Sequence, residues 1–399
     1  MSYDYVIIGG GIVGISTAWQ LKQRLPNKSI LLIEKEALLA KHQTGHNSGV
    51  VHAGVYYPPG SLKSQFCREG LLATLDFCKE KNIPYSQCGK ILVATNLLEL
   101  ERMKILFEQC KTNKLNVEWL DKTQLIEKEP NIIGLAGVLV KDTAIVDYSK
   151  IANEMAQSFE ELGGEIQLNT EVIGIAEKTE QVDIKVKTRQ GEKGFKASFL
   201  ISCSGLMADR LTKMMGLPTD FQIIPFRGEY YQLPATHNEI VNHLIYPIPN
   251  PDLPFLGVHL TRMIDGSTTI GPNAVQGWKR EGYGKVSISL LDILEMIQFK
   301  GFWNVLRKYW KIGLIETKNS WYKKGYLKLV QLYCPSLKKH DLKPYPAGIR
   351  AQAVLKDGTL VYDFLFSESP RSLHVCNAPS PAATSAIPIG AYICDKVTS

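Results

Sequence analysis

The stretch Tyr3-Asp4-Tyr5-Val6-Ile7-Ile8-Gly9-Gly10-Gly11-Ile12-Val13-Gly14 decides how this chain folds. An apolar run meets three glycines, and a helical pattern then continues to about Leu25, where Pro26-Asn27 breaks it. Ser29-Ile30-Leu31-Leu32-Ile33 reads as a second buried strand closing on Glu34. Strand, helix and strand in this order predict a βαβ unit with Gly9-x-Gly11-x-x-Gly14 at its turn. Gly9 permits the tight turn, Gly11 lets the backbone approach a pyrophosphate, and Gly14 lets the helix pack close to the strand. Ile12 and Val13 open the helix, whose free N–H groups and positive dipole end suit phosphates. Glu34, 20 residues beyond Gly14 and followed by Lys35, is placed to accept from a ribose hydroxyl. The motif predicts a dinucleotide site and does not by itself choose FAD over NAD.

Working outward, the chain has 399 residues, 45% hydrophobic and 21% charged. That size predicts two domains with a substantial core, and the composition excludes a disordered, collagen-like or coiled-coil protein. None of the eight cysteines forms a C-x-x-C pair, which argues against a zinc ribbon or a thioredoxin-type site. Reduced thiols, no disulfide framework and no metal are expected. The apolar start lacks a basic leader and is interrupted by glycines, and no run approaches the roughly 20 apolar residues of a spanning helix. A cytoplasmic protein is expected.

Residues 41–57, KHQTGHNSGVVHAGVYY, follow where an NAD dehydrogenase would start another helix and strand. A loop of small residues suggests backbone packed against a flat ring system. The segment Thr44 to Gly70 resembles the L-2-hydroxyglutarate dehydrogenases and oxidases, FAD enzymes of the D-amino-acid oxidase and glycerol-3-phosphate dehydrogenase superfamily. Four further stretches carry the resemblance: Pro225 to Tyr231, Phe255 to Thr261 running on to Gly271-Pro272-Asn273-Ala274, Tyr345 to Gln352, and Asn377 to Ser385.

The resemblance implies an α/β chain, α+β overall, with a Rossmann-like FAD domain assembled from 1–80, 141–215 and 341–399. Residues 81–140 and 216–340 would form a mixed-sheet substrate domain. It implies FAD held by the glycine turn, by Thr44, His46, Asn47, Ser48 and Gly49, and by Val172. Ser204 and Gly205 would end a flavin-contacting strand. Gly348, Ser380, Ala382, Ala383 and Thr384 would close the site, the last four in a turn feeding a helix N-terminus near the flavin pyrimidine oxygen.

The implied reaction oxidises a 2-hydroxy acid: the Cα hydride goes to flavin N5 while a base takes the hydroxyl proton. A group titrating near neutrality suits that base, which makes His52 and His259 the candidates. A dicarboxylate needs cationic partners, and Arg350 is the first choice. Period two places His259 with Thr261, and Arg227 with Tyr231, on shared strand faces. Tyr57 joins these as a candidate substrate contact. Other substrates of the superfamily, another 2-hydroxy acid, glycerol 3-phosphate or an amino acid, stay open, as does a flavin-binding membrane redox module without turnover.

The net charge of +7 is unevenly spread. Residues 300–339 carry ten Lys and Arg against Glu316 alone, hence +9, interleaved with eight aromatics including Trp303, Trp310 and Trp321. Basic residues among aromatics predict a segment docked on an anionic membrane, passing electrons to a quinone, with oxygen as the alternative acceptor. That places the protein at the cytoplasmic face, and nucleic acid is not expected as a partner.

Overall fold

Ser2–Ile8 runs parallel to Ile30–Ile33 on one side and to the second half of Gly191–Ser202 on the other, and the helix Ile12–Arg24 crosses between the first two. The structure, a computed structural model, describes residues 1–250 and 257–398, so Phe255 and Leu256 of the quoted run lie outside the described residues. Val6, Ile7, Leu31 and Leu32 are wholly buried, as expected of a parallel sheet covered on both faces. The crossing helix buries Ile15, Ala18 and Leu21 and packs on the helices Tyr148–Glu161 and Ala386–Thr398. Lys22 and Arg24 stand in its last turn, where cations complement the dipole, and it stops at Leu25 before Pro26.

Among the described residues this first sheet has eight strands. Glu165–Gln167 extends one edge in parallel, and the antiparallel run Glu171–Glu177, Val182–Thr188 and Gly191–Ser202 builds the other. Ser372–Asn377 returns from far along the chain to lie parallel to the end of Gly191–Ser202.

A second, mixed sheet of nine strands lies beyond the cleft. Its middle is ordered Phe221–Gln232, Thr268–Gly271, His259–Arg262, Leu244–Pro247, Lys90–Ala94, Ala136–Val140. The long strand Lys343–Leu355 pairs along Phe221–Gln232 and therefore belongs here. Residues 341–399 are therefore divided between the two sheets. The reason is physical: an antiparallel ribbon this long satisfies its backbone in the second sheet, and the chain rejoins the first only at Leu365–Ser369.

The basic segment folds as two helices, Lys300–Trp321 and Lys323–Gln331. Its aromatics divide. Phe302, Tyr326 and Tyr333 are buried, the first two on the inward sides of their helices and the third in the turn that follows Lys323–Gln331. Trp303, Leu306, Trp310, Leu314 and Trp321 form an outward stripe at spacings of three, four and seven, each 45% exposed or more. No described helix is long and apolar enough to cross a membrane. The eight cysteines are free, and burial pushes the thiols of Cys67, Cys78 and Cys203 up to about 12.

Candidate active site

A cleft of about 510 Å³ runs between the sheets, from the glycine turn at one end to His259 at the other. At the turn each glycine meets a different constraint. Gly9 has φ +111°, and a Cβ there would stand 2.4 Å from the Cys203 carbonyl oxygen. A Cβ on Gly14 would come within 2.0 Å of the Gly9 carbonyl oxygen, so that glycine is fixed by helix–strand contact. A Cβ on Gly11 would touch only Thr44 Oγ1, at 3.5 Å. Gly11 thus faces open space in the cleft wall, a cradle that a side chain would fill.

The neighbouring loop is held in place by its own polar groups. Thr44 Oγ1 accepts from the Ile12 N–H at 3.0 Å, and Glu34 Oε2 accepts from the Gly10 N–H at 2.6 Å. Lys35 pairs with Glu281 at the rim. Asn47 Nδ2 donates to the carbonyls of Gln43 and Thr44, while its Oδ1 accepts from the Gly49 N–H. His46 stacks on Tyr283 at 3.9 Å, with Nδ1 3.2 Å from the Ala347 carbonyl. Ser48, Val172, Ser204 and Gly205 also line the cleft. Gly49 does not: it has φ +67° and backs onto the Val146 carbonyl.

The inner end is built on one face of the nine-stranded sheet. Arg350 lies opposite Phe226, Gly348 opposite Gly228, and Gly271 opposite His259. Extending the register puts Tyr246 across from His259, and their rings stack at 3.8 Å and 10°. His259 is buried, lines the cleft, and has neither ring nitrogen hydrogen-bonded among the described residues. His52 enters from the small-residue loop, its N–H donating to Thr384 Oγ1 at 3.1 Å. That hydroxyl also meets Tyr148 Oη at 2.9 Å, and Ser380, Ala382 and Ala383 complete the wall.

Electrostatics favour neutral imidazoles. Burial first, then Lys90 and Lys63, push His52 down to about 3. Burial, then His52, Lys90 and Arg350, hold His259 well below its ordinary value. Burial also lowers Arg350, which the Tyr230 and Tyr57 hydroxyls partly offset.

Four residues expected at the substrate are not among those that line the cleft. Arg227 pairs with Glu229, and Tyr231 packs edge-on against Tyr326 at 4.8 Å. Both lie on the face turned away from the cleft, while Phe226, Gly228 and Tyr230 face it. The shared-face reading holds for that pair, but period two does not say which face is inside. Thr261 is buried and does not border the cleft, and Tyr57, close enough to Arg350 to influence it, has its hydroxyl 3.5 Å from the Ser380 carbonyl and its ring under Lys63. Tyr148, Tyr230 and Tyr246 were not found from sequence. Each lines the cleft, yet nothing in its local pattern separates it from a core tyrosine.

The glycine cradle, the polar loop and the long cleft fit a flavin dinucleotide. The chain belongs to the FAD dependent oxidoreductases, whose family pattern matches residues 4–396. It is 58% identical over 395 residues to the L-2-hydroxyglutarate dehydrogenase of Escherichia coli (strain K12), covering 99% of this chain and 93% of that protein. The mitochondrial L-2-hydroxyglutarate dehydrogenase of Homo sapiens is 40% identical over 411 residues, covering 99% and 89%. Among solved structures, L-alpha-glycerophosphate oxidase from Mycoplasma pneumoniae, reduced with dithionite and with FAD bound, superposes at TM-score 0.82. It is 21% identical and covers 100% of this chain and 95% of its own, a likeness of fold.

Proposed function

We propose that this protein oxidises L-2-hydroxyglutarate to 2-oxoglutarate with FAD. The observation that carries the reading is His259, buried at the inner end of the cleft with both ring nitrogens unpartnered among the described residues, on the sheet face that also presents Arg350. Gly9, Gly11, Gly14 and Glu34, with Thr44, Asn47 and Ser48, would hold the dinucleotide. Gly348 and the 380–384 turn would border its ring. FAD, when bound, supplies the acceptor for the substrate hydride. His52 or His259 takes the hydroxyl proton, Arg350 binds a carboxylate, and Tyr230 and Tyr246 line the remainder and exclude water. A bound dianion raises the depressed imidazoles back toward neutrality, where a base works best. Anaerobic mixing tests this: L-2-hydroxyglutarate bleaches the flavin absorption and the D enantiomer does not. An unchanged spectrum rejects the reading.

The second element is the electron acceptor. The outward stripe of tryptophan and leucine on Lys300–Trp321, with Lys308 and Lys311 exposed among it, supports docking on anionic lipid and a membrane quinone as acceptor, with oxygen as the alternative. Docking would place the protein peripherally at the cytoplasmic face. Co-sedimentation with phosphatidylserine vesicles at low salt is expected, and Lys308→Glu with Lys311→Glu lowers it. No binding at low salt ends the membrane reading.

A further inference from the structure

Lys90 is among the largest fully buried side chains, 1% exposed, and opens the strand Lys90–Ala94. Its Nζ lies 4.9 Å from the centre of the Tyr56 ring and 5.0 Å from that of Tyr246. Tyr246 in turn stacks on His259. Sheet register explains the row: Lys90 is beside Leu244, Leu92 beside Tyr246, and Tyr246 across from His259. Residues far apart in the chain therefore form a layered series of ammonium, phenol ring and imidazole.

No carboxylate pairs with Lys90 among the described residues. The groups around it are Tyr56 and Tyr246, the thiols of Cys67 and Cys110, and the two histidines. Both thiols are pushed up by burial, Cys67 to about 12 and Cys110 to about 11, so neither supplies a counter-charge near neutrality. An unpaired buried ammonium is costly, and a leucine or methionine would fill the same space without that cost. The packing of the fold therefore gives no reason for a cation at this position. The site in front of it does.

We propose that Lys90 is a positioning residue of the oxidation site, a fixed positive charge behind Tyr246 that adds to burial in keeping His52 and His259 unprotonated and ready to accept the substrate proton. The inference rests on the reading of these histidines as candidate bases. The charged and titratable groups facing them are Lys90 and Lys63 for His52, and His52, Lys90 and Arg350 for His259. Among the described residues none of these is a carboxylate, so the charges they present to the imidazoles oppose the uptake of a proton. Burial pushes Lys90 itself down to about 8, so the charge is present through neutrality. The two tyrosine faces supply the attraction that a carboxylate would otherwise give, without neutralising the charge.

The test is the pH dependence of anaerobic flavin reduction in the holoenzyme at limiting L-2-hydroxyglutarate, for wild type, Lys90→Met, Lys90→Gln and Lys90→Arg. In the two neutral variants the acid limb moves up by about one pH unit, so the rate at a pH below both limbs falls about tenfold more than at pH 8. Lys90→Arg keeps the wild-type limb. A limb that stays in place in either neutral variant overturns the proposal. So does loss of flavin by both neutral variants with retention by Lys90→Arg, which marks a charge needed to hold the cofactor rather than to act on the histidines. If wild-type flavin is not reduced by this substrate, the functional reading has failed rather than Lys90. Histidine ring-proton titration by NMR in wild type and Lys90→Met then decides: an upward shift of His52 or His259 supports the proposal, and no shift overturns it.

Discussion

The Tyr246 ring lies parallel to the His259 imidazole, 3.8 Å between centroids and 10° between planes. A buried histidine is normally oriented by a hydrogen bond to one ring nitrogen, which also fixes its tautomer. Here the plane is set by stacking, and among the described residues both nitrogens are left for what enters the cleft.

His259→Phe separates the two contributions of that ring. Phenylalanine keeps the stack on Tyr246 and removes both nitrogens. If His259 is the base, flavin reduction in single-turnover mixing slows by about 10²–10⁴-fold while flavin remains bound. If His52 is the base, His52→Gln carries that loss instead and His259→Phe changes mainly substrate affinity.

Gly11→Ala and Gly14→Ala behave differently although they belong to one motif. The Gly14 methyl collides with the Gly9 carbonyl, and overpacking of this kind costs about 1–3 kcal/mol, read as a lower melting temperature of the apoprotein. The Gly11 methyl meets only Thr44 Oγ1 at 3.5 Å and leaves the apoprotein melt unchanged. It occupies the phosphate cradle, so FAD binding by fluorescence titration weakens about tenfold or more, roughly 1.4 kcal/mol.

Acid destabilises the fold through histidines that refuse protons. His374 is pushed down to about 4 by burial, and His52 to about 3. In the unfolded chain both titrate near about 6.5. Their stabilising contribution is complete above that value and is lost as pH falls through 6 toward 4, by about 1.4 kcal/mol per pH unit for each. Melting temperature against pH in wild type and His374→Leu measures it. The variant has the shallower acid slope.

Arg280 and Asp209 form an ion pair that is almost wholly buried, and Asp209 also accepts from the Ile223 N–H. Arg280→Met leaves the buried carboxylate without its cationic partner. Unfolding in urea is expected to register a loss of about 3–5 kcal/mol.

What the sequence made legible follows from how local each constraint is. The glycine turn is readable because backbone geometry tolerates only glycine at Gly9 and Gly14. His52, His259 and Arg350 stand in stretches whose resemblance placed them together, and all three line the cleft. Arg227 and Tyr231 lie outside it because alternation along a strand gives two faces without naming the inner one. A bulge between Gly228 and Tyr230 further disturbs that strand. Lys90 did carry a signal, a lone lysine before Ile91-Leu92-Val93-Ala94. Its partners come through strand pairing with Leu244–Pro247, a contact that no local pattern encodes.

Thr384 ties the site to time as well as space. Its hydroxyl holds the His52 N–H and meets Tyr148, so residues 52, 148 and 384, separated by about a hundred and by more than two hundred positions, meet at one oxygen. A polypeptide emerges from the ribosome amino end first. The glycine turn is therefore made early, but the wall proposed to border the flavin ring cannot exist until Thr384, more than 330 residues after His52, has been synthesised. Nascent chains can offer a phosphate cradle long before they can complete that wall, so cofactor capture waits on a segment made hundreds of residues later. A break in the chain just after Thr384 would remove the helix Ala386–Thr398 that follows that wall while leaving the motif at the other end intact.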